Sequence, residues 1–182
     1  MREAKVARTT KETDIEIELE IDGEGRTEIG FQDHFLNHML NSLAKYASFD
    51  LTARGTGDDD HHLIEDVAIA LGMAMDQARG DTPVDRIGSA TVPMDDALVT
   101  AAVDVIDRPY VEVDCPDPMY HHFFRSLAMS SRLTLHILVQ RGFDAHHIVE
   151  ASFKALGLAL RAALTTREGT LSTKAKPKIK RG

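Results

Sequence analysis

The pentad HHxxE occurs twice in this chain, as His61-His62-Leu63-Ile64-Glu65 and as His146-His147-Ile148-Val149-Glu150. Each copy opens a long apolar stretch with helical spacing. On a helix, residues four apart share a face, so His61 meets Glu65 and His146 meets Glu150. The neighbouring residue is turned by about 100°, so His62 and His147 are aimed elsewhere. Each copy therefore offers one His/Glu pair and one further imidazole pointing in a different direction.

The likeness between the copies runs well past the pentad. His38 stands 23 residues before the first and His122 stands 24 before the second. Ser42-Leu43-Ala44 recurs as Ser126-Leu127-Ala128, and Ala70-Leu71-Gly72 as Ala155-Leu156-Gly157. The period, about 85 residues, exceeds that of solenoid repeats at roughly 20–50. A pseudo-two-fold unit built from two halves is expected instead, with residues 1–85 as the first half, 86–170 as the second and 171–182 as a basic tail.

Within each half the pattern predicts three strands, a helix, a strand and a helix. Ile15, Ile17, Leu19 and Ile21 alternate with Glu16, Glu18 and Glu20, as in a sheet with one wet face. Asp33, Pro118 and Asp144 open helices, and strands are expected over 49–53 and 133–140. Gly55 to Asp60 reads as a loop. The expected fold class is α+β: a duplicated βββαβα half, with two mostly antiparallel sheets enclosing a four-helix layer.

A net charge of −8 argues against a nucleic-acid surface. The single cysteine, Cys115, rules out an internal disulfide and fits a cytoplasmic protein. Residues 1–13 are polar, which speaks against a signal peptide, and no apolar run reaches the ~20 residues of a membrane span.

Six of the nine histidines belong to the duplicated pattern. Paired imidazoles and a carboxylate on an otherwise apolar helix are costly to bury without a partner, so a metal is the economical explanation. The expected grouping crosses the halves: His38, His61, Glu65 and His147 at one metal, and His122, His146, Glu150 and His62 at the other. Three imidazoles and a carboxylate suit zinc, iron, nickel or manganese and leave coordination positions open, as catalytic sites do. His136 reads as a structural strand residue, while His34 and His121 have no matched mate.

Asp60-His61-His62 with Glu65-Asp66, His122-Phe123-Phe124 with Ser126-Leu127, Thr134-Leu135-His136-Ile137 and His146-His147-Ile148-Val149-Glu150-Ala151 resemble the imidazoleglycerol-phosphate dehydratase family of histidine biosynthesis. Arg86, Pro93-Met94-Asp95 and Arg108-Pro109-Tyr110 fall in the same order between them. The resemblance runs from Thr10 to Lys174. It departs at His34, Asn37, Ser42, His121 and Ala175, where proline, aspartate, glutamine, glutamate and glycine are usual. It implies the monofunctional enzyme, two manganese ions per site, ligands drawn from neighbouring subunits, and a 24-subunit homo-oligomeric shell.

The same resemblance places the substrate's phosphate on Arg86, Arg108, Lys154, Ser172 and Lys174, and adds Glu12 to the substrate contacts. It puts acid–base roles on Glu12 and Glu150, with Asp95 as a further catalytic position. The implied reaction removes water from imidazoleglycerol phosphate, through an imidazolate and a diazafulvene-like intermediate, to give imidazoleacetol phosphate. The rival readings are a non-catalytic metal-storage or metal-assembled shell protein, which needs the ligands but not the phosphate cations, and a two-metal hydrolase, usually richer in bridging carboxylates.

Overall fold

In a computed structural model the described residues are 1–169, and Ser172, Lys174 and the basic tail lie outside them. The elements, in order, are β1 (Glu3–Thr9), β2 (Thr13–Glu20), β3 (Thr27–Gly30), α1 (His34–Ala47), β4 (Asp50–Gly57), α2 (Asp60–Arg79), β5 (Ile87–Met94), β6 (Ala97–Asp104), β7 (Tyr110–Val113), α3 (Pro118–Ser130), β8 (Thr134–Arg141) and α4 (Ala145–Ala163). The fold is α+β, as the pattern predicts.

Two four-stranded sheets form, with strand orders β1-β2-β4-β3 and β5-β6-β8-β7. In each, the long strands pair antiparallel, and the short third strand adds in parallel at the edge. Strand β2 buries Ile15, Ile17 and Leu19 and exposes Glu16 and Glu18, the alternation of a sheet packed on one face. Strand β4 runs on through Gly57, where a loop from Gly55 is expected, because Gly55 and Gly57 sit opposite Ile15 and Thr13 in the ladder with β2. Ladder pairing here outweighs the poor strand preference of glycine.

Helix α2 covers β1 and β2 while α1 lies over β3; α4 covers β5 and β6 while α3 lies over β7. Between the halves, α1 packs on α4 and α2 on α3. A glycine sits at each of these two crossings. A Cβ on Gly72 would stand 2.7 Å from the Leu127 carbonyl oxygen and from Ser130 Cβ. On Gly157 it would stand 2.8 Å from the Leu43 carbonyl oxygen and from Tyr46 Cβ. The helices therefore meet backbone against backbone, closer than any larger residue permits.

Each helix starts on an aspartate. Asp33 accepts from the amides of Phe35 and Leu36, Asp59 from His62, Asp117 from Met119 and Tyr120, and Asp144 from His146. These caps fix where the first turn begins, and with it the angular position of every histidine that follows.

Gly72→Ala and Gly157→Ala are expected to destabilise the fold. Alanine gains about 1 kcal/mol of helix preference, but the clash is with main chain that cannot rotate away, so a net loss on the order of 1–2 kcal/mol is expected. Urea unfolding should show a lower midpoint at unchanged slope.

Candidate metal centres and active site

The helix packing decides which side chains meet. On α4, His146 and Glu150 share a face, with Nε2 3.5 Å from Glu150 Oε2. Because α1 lies against α4, His38 Nε2 comes to 3.3 Å from the same oxygen. The ligand atoms of His38, His146 and Glu150 all lie within 4.8 Å of one another. A looser counterpart stands on the other crossing, with the two imidazoles on different oxygens of the glutamate. His61 Nε2 is 3.8 Å from Glu65 Oε2, and His122 Nε2 on α3 is 3.0 Å from Glu65 Oε1.

This corrects the grouping expected from spacing, which put His38 with His61 and Glu65, and His122 with His146 and Glu150. The upstream histidines are exchanged, because α1 packs on α4 of the other half and not on α2. His62 and His147 do diverge from their neighbours, and within one chain neither joins the cluster at Glu150 or the one at Glu65.

Instead, each of these two imidazoles is held at Nδ1 by a carboxylate. His62 Nδ1 is 2.8 Å from Asp58 Oδ1, and His147 Nδ1 is 2.6 Å from Asp96 Oδ1. Asp58, Asp59 and His62 bring their ligand atoms within 4.8 Å of one another. The hydrogen bond to Asp58 raises the His62 pKa above its ordinary value of 6.5, and the bond to Asp96 does the same for His147. In return, Asp58 and Asp96 are held below the usual carboxylate range. Asp96 also accepts from the backbone amides of Phe143 and Asp144. A carboxylate on Nδ1 that leaves Nε2 outside the bond is how metal-ligating histidines are commonly oriented.

The expected catalytic carboxylates stand beside these oriented rings. Glu12 Oε2 is 3.9 Å from His62 Nε2, and Asp95 Oδ2 is 3.4 Å from His147 Nε2. Both are exposed. Glu150 is different: it is buried, and Lys154 Nζ lies 2.7 Å from its Oε1. Burial alone would raise its pKa, but the bonds from Lys154 and His38 outweigh that and lower it. Its counterpart Glu65 is a third exposed and turns both oxygens to imidazoles. The two clusters are therefore related in ligands but not in charge.

Among the described residues the expected phosphate-binding groups Arg86, Arg108 and Lys154 are not brought together within the chain. Lys154 sits with Glu150, while the Arg86 amide donates to the Ala163 carbonyl at the far end of α4. From Lys154 to Ala163 the helix rises about 14 Å. Arg86 there forms a bidentate pair with Asp104, at 2.6 and 2.9 Å. Arg108 is exposed at the same end of the sheet, and its carbonyl accepts from Thr134. The residues that sequence reasoning missed are the carboxylates that orient others, Asp58, Asp96 and Asp66. The only signal for the first two is an acidic residue close to each pentad or turn.

The family model for imidazoleglycerol-phosphate dehydratase matches residues 27–160. The chain is 45% identical over 177 residues to the imidazoleglycerol-phosphate dehydratase of Bacillus velezensis, covering 90% of this chain and 91% of that one. It is 46% identical over 183 residues to that of Salinispora tropica, covering 89% and 90%. The crystal structure of the Pyrococcus furiosus enzyme superposes with a TM-score of 0.82 at 42% identity, covering 92% of this chain and 98% of that one. The Staphylococcus aureus enzyme gives 0.81 at 31%, covering 91% and 99%. Fold and comparisons together define an enzyme of the hydro-lyase class. The chain belongs to the imidazoleglycerol-phosphate dehydratase family.

In metal-free protein, His62 and His147 should titrate above 6.5 by NMR. A raised folded pKa means that the carboxylate stabilises the charged ring. The linked stability is thus fully present below the unfolded pKa and lost as pH rises through the folded one. Asp58→Asn and Asp96→Asn should each bring the corresponding midpoint down, leaving the other unchanged.

Proposed function

We propose that this chain removes water from imidazoleglycerol phosphate to form imidazoleacetol phosphate in histidine biosynthesis, with two divalent metal ions per site, manganese by analogy with the family. The observation that carries this reading is the pair of pseudo-symmetric clusters, each two imidazoles and a glutamate, set beside two further imidazoles already oriented by carboxylates. The donor set of nitrogen and carboxylate oxygen fits manganese, iron, nickel or zinc. His38, His146 and Glu150 would hold one ion and His61, His122 and Glu65 the other, each completed by His62 or His147.

Completion comes from a second copy of the chain. Within one copy the oriented imidazoles stay outside both clusters, and Arg86 and Arg108 lie about half of α4 away from Lys154. A homo-oligomer, a 24-subunit shell by analogy with the family, would bring one copy's cations and imidazoles to another's cluster. Ser172 and Lys174 complete the phosphate contacts in this reading. The cytoplasm is its natural place.

A divalent ion held at Glu150 or Glu65 with their imidazoles would supply Lewis acidity toward the substrate ring. The chain's own groups do the rest. The hydroxyl on the ring-side carbon leaves as water with a proton, and the neighbouring carbon gives up its hydrogen. The enol so formed takes a proton at the ring-side carbon and becomes the ketone. Glu12 and Asp95, exposed beside the oriented histidines, are placed to carry these protons. Glu150, held through both oxygens, keeps the cluster's shape and accepts from Lys154, and takes part in proton transfer through that bond. The arginines and lysines hold the phosphate and so fix the reacting carbons against the carboxylates.

The test is incubation with imidazoleglycerol phosphate and Mn²⁺, assayed for the ketone. Activity should vanish on chelation and return with metal; metal binding without turnover would instead favour the storage reading. Site by site, anomalous diffraction should show His38→Ala emptying the same position as Glu150→Gln, and His122→Ala the same position as Glu65→Gln. His62→Ala and Glu65→Gln chains, each inactive alone, should regain activity when assembled together, since the mixture rebuilds intact sites between copies. Arg86→Ala should lower kcat/KM by roughly 10- to 150-fold with metal content unchanged.

A further inference from the structure

A polar network around the buried Asp66 lies outside the metal clusters and, among the described residues, has no equivalent in the other half. Asp66 follows the ligand Glu65 on α2 and is itself buried. Its Oδ1 accepts from Arg8 Nε and Nη2 on β1, at 3.1 and 2.8 Å. Its Oδ2 accepts from the Thr13 hydroxyl, at the start of β2. Thr13 Oγ1 in turn lies 3.2 Å from Thr10 Oγ1. Thr10 Oγ1 accepts from the amides of Glu12 and Thr13, at 3.1 and 3.0 Å.

The direction of every bond in this chain follows from the carboxylate at its end. A carboxylate only accepts, so the single Thr13 hydroxyl proton is committed to Asp66. The Thr10 hydroxyl must then donate to Thr13, and both lone pairs of Thr10 are left for the two amides. The turn that carries Glu12 is thus fastened to α2 through one directional path. A second tie, from the Asp58 amide to the Glu12 carbonyl at 2.9 Å, holds the same turn to the loop that orients His62.

The duplicated half shows that folding does not require this arrangement. Ala151 stands where Asp66 stands, fully buried, and Ala97 opens β6 as Thr13 opens β2. Sheet, helix and crossing form there without a charge. A buried carboxylate bound by an arginine and a hydroxyl is seldom a net gain over apolar packing. Its presence in one half alone calls for a local reason, and the local difference is the turn: Thr10, Lys11 and Glu12 join β1 to β2, whereas Asp95 and Asp96 alone join β5 to β6, where Asp96 is itself fastened by the amides of Phe143 and Asp144.

We propose that Asp66, acting through Thr13 and Thr10, is a positioning residue that sets the Glu12 carboxylate beside His62 for proton transfer. This rests on the acid–base role given to Glu12 above. The Asp66 side chain touches neither substrate nor metal in this assignment; its work is to hold the turn.

The experiment compares Thr13→Val, which is near-isosteric, and Asp66→Asn with the wild type in the manganese-loaded assembly. Metal content, particle mass and melting temperature are recorded for each, and the same substitutions are repeated in a Glu12→Gln background. Expected is a fall in kcat on the order of 10- to 100-fold with KM changed less than about threefold. Amide exchange at Glu12 and Thr13 should speed up at least about tenfold, as for amides that lose their acceptor. In the Glu12→Gln background, Thr13→Val should cost little more, because the group it positions is already gone. Wild-type kcat in both variants, losses that add in full on Glu12→Gln, or unchanged exchange at the turn would each overturn the proposal. If Glu12→Gln alone turned over normally, the acid–base assignment would fall and the proposal with it. If Glu12→Gln were inactive but Thr13→Val normal, only the positioning role would fail.

Discussion

The contact on which the molecule depends is the close crossing of helices from opposite halves. At Gly157 the α4 backbone rests on the end of α1, and at Gly72 the α2 backbone rests on the end of α3. These crossings do more than bury apolar surface. They carry an imidazole from one half to the glutamate of the other, His38 to Glu150 and His122 to Glu65. Separating either pair of helices by a side chain's width would take the donors out of reach of a shared ion. The core and the candidate metal centres are in this sense one construction: leucines, alanines and phenylalanines pack behind the crossing, and the histidines emerge at its edge.

Electrostatics then divides the two centres. Glu150 is buried and shares its charge with Lys154, while Glu65 is more open and shares its charge with histidines alone. The lone imidazoles are treated alike in principle but from different places. Asp58 reaches His62 from the loop before α2, and Asp96 reaches His147 from the turn between β5 and β6. The two halves thus share their candidate ligands and differ in what surrounds them. That is the pattern expected when ligands set whether a metal binds and their partners set how it behaves.

Much of this could be read from the residues alone. Period-two alternation marks β2, and Asp33, Pro118 and Asp144 mark the starts of α1, α3 and α4 within a residue or two. The four-residue spacing within HHxxE put His61 on Glu65 and His146 on Glu150, and turned His62 and His147 away. What failed was the third ligand, because spacing along the chain does not say which helix packs on which. The signal was present in the repeated Ala-Leu-Gly of α2 and α4, whose glycines mark the crossings, but it served only to align the repeats. The length of β4 was missed because glycine rarely extends a strand, and here the ladder with β2 decides. Asp66 was hidden behind Glu65; only its replacement by Ala151 in the other copy sets it apart. The expected roles of Ser172 and Lys174 fall outside the described residues.

The exchange of histidines between halves bears on how such a chain could arise. A single half could not have assembled either cluster by itself, since its own upstream histidine points to a partner. Two identical halves paired about a two-fold axis would have made both clusters at once, each the image of the other. In such a pair any substitution would strike both positions together. Within one chain the matched positions are free to differ: Lys154 sits on one glutamate where Ile69 stands in the other half, and Asp66 is buried opposite Ala151. Covalent joining thus lets two matched positions be unlike, which a reaction with two unlike ends to its substrate can use.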